Sequence, residues 1–92
     1  MADEIELTDR QKYYIKEIRY WKDKLRTYIQ KKNDLLVWYR LKSKQVADSE
    51  AKEILFHQFQ QKIKYYHKMI NRIEKKIDEL SMKLDSLAYK KR

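Results

Sequence analysis

The second half of the chain carries an unbroken seven-residue repeat of apolar side chains, which restricts the possible folds more than any other feature. Ten apolar residues follow one another at alternating spacings of three and four: Phe56, Phe59, Ile63, Tyr66, Ile70, Ile73, Ile77, Leu80, Leu84 and Leu87. On an α-helix this spacing places all of them on one stripe, with Phe56 at heptad position a and Phe59 at position d. The pattern predicts a helix over residues 49–89.

The first half of the chain repeats the same spacing, with two lysines in its stripe. Its a and d positions are Tyr14, Ile18, Trp21, Leu25, Tyr28, Lys32, Leu35, Tyr39, Lys42 and Val46. Thr8 and Gln11 form the T-x-x-Q pattern of a capping box, which marks the start of a helix. Lys32 and Lys42 either fix the register or oligomeric state of the packing or extend their ammonium groups to solvent. We predict a helix over residues 8–44.

The chain contains no Gly and no Pro, so capping residues alone mark the break between the two stripes. Asp48 or Ser49 can cap the second helix, and Glu50 and Glu53 then lie where the helix dipole favours anions. One continuous helix is the alternative, but a hairpin brings the acidic residues 3–9 beside the basic residues 90–92. We therefore predict an all-α fold, a helical hairpin of two long antiparallel helices with its turn at residues 45–48.

A chain of 92 residues fits a single domain, here the hairpin over residues 1–92. A lone pair of helices buries one stripe on each, and small domains without disulfides or metals commonly oligomerise for that reason. We expect a homodimer in which two hairpins form a four-helix bundle. Trp38, beside the first stripe, is assigned to the same contact. The predicted oligomer interface is Tyr14, Ile18, Trp21 and Leu25 together with the ten apolar residues of the second stripe.

The residue types that most enzymes need are missing or unsuitably spaced. Without Cys there is no disulfide, catalytic thiolate or Cys-ligated metal, and without Gly there is no glycine-rich phosphate loop. His57 and His67 lie too far apart to bind one metal ion from a single helix, and we expect His67 to pack at the stripe edge. We expect no enzymatic activity, no cofactor, no metal and no small-molecule substrate.

The sequence also lacks the features of a membrane or secreted protein. No apolar run approaches the ~20 residues that cross a bilayer. The acidic N-terminus has neither the basic nor the apolar region of a secretory signal. We expect a soluble, cytoplasmic protein without membrane contact.

Lysine and arginine outnumber aspartate and glutamate by 23 to 14, and the cations form rows on both helices. Lys64, Lys68, Arg72 and Lys76 follow one another at i, i+4, where neighbouring cations repel. The row on the first helix has Tyr13 and Tyr20 interleaved with it. Such rows favour nucleic-acid phosphates as the partner. The predicted nucleic-acid-binding residues are Lys12, Lys16, Arg19, Lys22, Arg26, Lys64, Lys68, Arg72, Lys75 and Lys76.

Lysine outnumbers arginine by 17 to 6, which favours diffuse contacts with the phosphate backbone over recognition of a base sequence. The main alternative is a protein-interaction module whose basic face docks on an acidic protein surface. Such a module would be an adaptor, assembly factor or inhibitor of the kind that phages and plasmids encode. Two further readings stay open, a solvated basic face without a ligand and a dimerisation element of a larger assembly.

Overall fold

Two long helices joined by a short connection make up the fold. The structure, a computed structural model, describes residues 7–89 and the side chains of residues 7–87. Helix α1 spans Asp9–Gln45 and helix α2 spans Ser49–Tyr89, and residues 7–89 contain no strand. The molecule measures 70 × 22 × 15 Å, a shape that fits two paired rods. The predicted all-α hairpin is confirmed, and the alternative of one continuous helix is wrong.

The capping box at the start of α1 forms as the sequence predicts. The Thr8 hydroxyl oxygen accepts a hydrogen bond from the Gln11 backbone N–H at 3.2 Å. In return the Thr8 backbone N–H donates to Gln11 Oε1 at 2.9 Å. These two bonds satisfy backbone donors that have no partner inside the helix, and Gln11 is buried against the hairpin.

The turn at residues 46–48 is closed by Asp48, which caps α2. Asp48 Oδ2 accepts a hydrogen bond from the Ala51 backbone N–H at 3.2 Å, and its carbonyl oxygen accepts one from Lys52 at 3.0 Å. At the other side of the turn, the Val46 N–H donates to the carbonyl oxygen of Lys42. The predicted approach of residues 3–9 to residues 90–92 stays a prediction, because residues 1–6 and 90–92 lie outside the described part of the chain.

The two stripes face each other within one chain. Near the turn, Tyr39 stacks on Phe59 with ring centroids 4.2 Å apart, and further along Tyr28 packs against Tyr66 at 6.3 Å. Among the stripe residues assigned to the oligomer interface, Ile70, Ile73 and Leu80 are buried and Phe56 is exposed. The others are half-buried. The buried apolar residues in the described part are Leu35, Leu55, Ile70, Ile73 and Leu80.

The stripe of α2 shifts by one residue near the turn, which corrects the prediction for Phe56. Leu55 is buried there with 9% of its surface exposed, whereas Phe56 is 42% exposed. A straight helix drifts by about 20° per heptad relative to a seven-residue repeat, so an adjacent position takes over at the end of a long stripe. The same occurs in α1, where Ser43 is half-buried and Lys42 is exposed.

Neither helix has, over the described residues, an apolar stretch sufficient to cross a membrane.

Candidate nucleic-acid interface

The contact between the two helices is bordered by a long surface on each side, which we call a flank. The heptad position of a residue indicates the flank on which it lies. In an antiparallel pair, positions e of the two helices lie on one side of the stripe and positions g lie on the other. The groove linings follow this division. We call the side of the e positions the mixed flank, lined by Ile15, Arg19, Lys22, Glu74, Asp78, Ser81 and Asp85. We call the side of the g positions the aromatic flank, lined by Lys31, Asp34, Trp38, Gln61, Lys62 and Tyr65.

The mixed flank brings predicted phosphate-binding cations next to carboxylates. Arg19 and Lys22 share a groove of about 320 Å³ with Asp85. Lys22 also lines a groove of about 440 Å³ with Glu74 and Asp78. Carboxylates that line the same grooves reduce the attraction of the surface for phosphate, because their charge opposes that of the cations. This part of the predicted site is less cationic than the first helix suggests by itself.

Direct neutralisation of the cations is nevertheless rare. Among the described residues one ion pair lies within 4.0 Å, between Arg26 Nη1 and Asp23 Oδ1 at 3.9 Å. Both side chains are more than 70% exposed, and such surface pairs contribute at most about 1 kcal/mol. All ten residues of the predicted nucleic-acid-binding set are exposed.

The two predicted rows do not combine into one surface. Each i, i+4 step advances about 40° around a helix of 3.6 residues per turn. The row on α2 therefore starts on the mixed flank at Lys64, crosses the back of the helix at Lys68 and Lys75, and reaches the aromatic flank at Arg72 and Lys76. The row on α1 stays on the mixed flank and the adjoining back of that helix: Lys12, Lys16, Arg19, Lys22 and Arg26.

The aromatic flank contains a larger groove, of about 630 Å³. Its floor is formed by the buried Leu35 and the half-buried Tyr66. Trp38 and Tyr65 stand at its sides and remain 37% and 53% exposed. Lys62 Nζ lies 5.5 Å from the ring centroid of Trp38, within the range of a cation–π interaction.

Lysines contact aromatic rings elsewhere on the same flank. Lys31 Nζ lies 5.6 Å from the Tyr28 ring centroid. Lys24 Nζ lies 5.3 Å from the Tyr20 ring and 5.9 Å from the Trp21 ring. Hydrogen bonding and coulombic attraction from Tyr20 raise the pKa of Lys24 above its ordinary value of 10.5.

The sequence-based site missed Lys24, Lys31 and Lys62. The sequence could have indicated that these lysines share one side of the hairpin. All three occupy heptad position g, and the g positions of two antiparallel helices lie on the same side of the stripe. Tyr20 was assigned to the row containing Arg19 and Lys22, but its ring lies beside Lys24 on the other flank. Trp38, assigned to dimer packing, lines the aromatic groove.

The histidines take no part in either flank's grooves. His57 lies beside Phe56, with ring centroids 6.2 Å apart, and is exposed. His67 is also exposed, which corrects the expectation that it packs at the edge of the stripe. Its position e borders the mixed flank, where the described side chains leave it open to solvent.

Comparison with protein families, with curated proteins and with solved structures gives no match for this chain.

Proposed function

We propose that this chain is a non-enzymatic nucleic-acid-binding module that contacts backbone phosphates. The observation that supports this is a net charge of +9 on a rod whose described residues include a single close ion pair. Nucleic-acid phosphates hold a layer of condensed counterions. When exposed lysines and arginines of the protein contact the phosphates, these counterions are released, and their release drives association.

Within this proposal the aromatic flank is the better phosphate surface. Lys24, Lys31 and Lys62 lie beside aromatic rings there, and Arg72 and Lys76 reach the same side. On the mixed flank, the cations of the first helix share grooves with carboxylates. Lysine is a strongly hydrated point charge without the planar fork of arginine, so we expect affinity with little sequence preference.

A salt series tests the proposal. We expect a random 30-mer oligonucleotide to bind at ~50 mM salt and to lose affinity steeply by ~200 mM. The double variant Lys31→Gln/Lys62→Gln should bind more weakly and show a shallower salt dependence, because two phosphate contacts are lost. Lys44→Gln/Lys52→Gln is the matched control, since it removes the same number of charges at exposed lysines near the turn that lie outside both flanks' grooves. No binding at ~50 mM salt, to single or double strands, would end this proposal.

We propose in addition that two hairpins pair through their mixed flanks as a four-helix bundle. Ile15, Ile29 and Leu36 widen the stripe of α1 on that side; Ile29 is 37% and Leu36 39% exposed. The flank also carries both signs of charge, which suits a two-fold contact in which the same surface meets itself. Pairing on this side leaves the aromatic flank free for a ligand.

A second candidate function is docking on an acidic protein surface. Val37 and Leu41 support it, because they lie one turn apart on the outward side of α1 and are more than half exposed. Apolar residues beside cations are typical of protein-interaction surfaces. Affinity capture with and without nuclease separates the two functions. A partner protein retained in stoichiometric amount after nuclease treatment favours this second function, and loss of the captured material favours nucleic acid.

A further inference from the structure

We infer that the groove on the aromatic flank is a stacking site for unpaired nucleobases, so that the ligand is single-stranded nucleic acid. This inference rests on the proposed nucleic-acid-binding function and names the chemical class of its ligand. Stacking requires an exposed aromatic face, room for a flat ring beside it, and a cation within reach of the attached phosphate. The groove offers all three.

The aromatic faces and the space between them come from both helices. Trp38 of α1 and Tyr65 of α2 stand at the groove's sides, and each keeps more than a third of its surface exposed. The half-buried Tyr66 and the buried Leu35 close the floor. A groove of about 630 Å³ has room for one or two nucleobases, which are flat and largely apolar on their faces.

The cations are placed at the rim of the same groove. Lys62 Nζ lies over the Trp38 ring at 5.5 Å, and Lys31 lines the groove beside it. A base that stacks on Trp38 takes the place of the Lys62 ammonium, which is then free to contact the phosphate of that nucleotide. The Lys62 ammonium thus lies over one face of the Trp38 ring in the free protein and contacts the ligand's phosphate once a base has bound.

One carboxylate limits where the ligand's backbone can pass. Asp34 lines the groove, and its Oδ1 accepts a hydrogen bond from Gln30 Nε2 at 3.0 Å. A phosphate near Asp34 would be repelled, so the backbone runs on the side of Lys62. Asp34→Asn removes this repulsion and keeps an oxygen that can accept the bond from Gln30.

Duplex nucleic acid does not fit this arrangement as well. Its bases are paired and stacked on one another, so their faces are not available to Trp38 or Tyr65. A duplex can use the lysines of the flank but leaves the aromatic side chains without a partner. Preference for single strands over duplex therefore distinguishes base stacking from phosphate contact alone.

The test compares oligomers of equal charge with and without bases. The probes are (dT)15, (U)15, an abasic 15-mer of the same phosphate spacing, and a duplex of about half that length, which carries the same number of phosphates. We expect (dT)15 or (U)15 to bind roughly tenfold more tightly than the abasic oligomer, the factor that stacking of one base supplies. In a Trp21→Phe background, where Trp38 is the remaining tryptophan, we expect the bases to quench its fluorescence.

Substitutions in the full chain locate the site. Trp38→Leu/Tyr65→Leu should remove the difference between (dT)15 and the abasic oligomer while leaving the affinity for the abasic oligomer unchanged. Asp34→Asn should raise the affinity for both. The controls are Asp78→Asn, on the mixed flank, and Met82→Ala, which is 72% exposed on the back of α2. Neither should alter the (dT)15-to-abasic ratio.

The outcomes distinguish base stacking from the phosphate binding on which it rests. Equal affinity for (dT)15 and the abasic oligomer with unquenched Trp38, or tighter binding of the duplex, overturns base stacking and leaves phosphate binding in place. Absence of binding to every probe at ~50 mM salt overturns both. Comparison of (U)15 with (dU)15, which differ only in the 2′-hydroxyl, then assigns RNA or DNA as the ligand.

Discussion

A single lysine lies in the contact between the helices. Lys32 occupies position a of α1, in line with Leu25 and Tyr39, and is half-buried. Lysine tolerates such a position because its methylene stem packs along apolar neighbours while its ammonium group reaches water. As a result, the turn of α1 that contains Lys32 buries less apolar surface than a leucine at this position would. Lys42, the other lysine of the stripe, is exposed and leaves the contact to Ser43.

We expect Lys32→Leu to raise the free energy of unfolding by about 1 kcal/mol, because an apolar side chain replaces a stem that must keep its charge hydrated. Lys42→Leu is the matched control, and its exposed position should limit the change to about 0.5 kcal/mol. Urea unfolding at one fixed protein concentration measures both. Destabilisation by Lys32→Leu would show instead that this lysine sets the register of the two helices.

At the scale of the elements, the starts of both helices are fixed by short-range hydrogen bonds. Thr8 and Gln11 close one end of α1, and Asp48 closes the start of α2 with two bonds to the following turn. Ser49 follows Asp48 but is already the first residue of the helix. One carboxylate therefore caps α2 directly after the reversal at residues 46–48, which contains neither Gly nor Pro.

We expect Asp48→Ala to lower the free energy of unfolding by about 1 kcal/mol, the usual contribution of a capping side chain. Ser49→Ala should have almost no effect, since the Ser49 side chain makes no hydrogen bond among the described residues. Thermal unfolding of the two variants beside the natural chain provides the measurement. If Ser49→Ala proves the more damaging, the cap has been assigned to the wrong residue.

The helices and their caps could be predicted because the signals are local. The spacing of Ile63, Ile70 and Ile77 repeats every seven residues, and the T-x-x-Q pattern at Thr8 involves four consecutive residues. The flank that each cation joins could not be predicted in the same way, since it depends on how each helix is rotated toward the other. Lys22 lines grooves together with Asp78 and Asp85 of α2, and no spacing within α1 reveals those neighbours.

The whole molecule is a thin rod with a small interior. Five apolar residues are buried in the described part, and no described side chain is completely enclosed. The Nε1–H of Trp21 is buried without a hydrogen-bond acceptor among the described residues, and such a loss costs about 1–3 kcal/mol. Small domains with this little buried surface gain stability from a partner, which is why we place a second hairpin on the mixed flank.

We expect the apparent free energy of unfolding to rise with protein concentration, because a dimer is stabilised by mass action. Sedimentation should give the mass of a dimer for the natural chain and for Met82→Lys on the back of α2. Leu36→Lys, on the mixed flank, should shift the population to monomers. A monomer whose stability is independent of concentration would contradict the four-helix bundle.

The scarcity of close ion pairs among residues 7–87 affects how this rod responds to ionic strength. Its fold relies on packed hydrocarbon, while its like charges push against each other along 70 Å of length. Added electrolyte shortens the reach of that repulsion to about 8 Å at physiological strength. The same electrolyte would therefore stabilise the folded protein and weaken its binding to any polyanion, so a high-salt wash should release such a ligand without unfolding the protein.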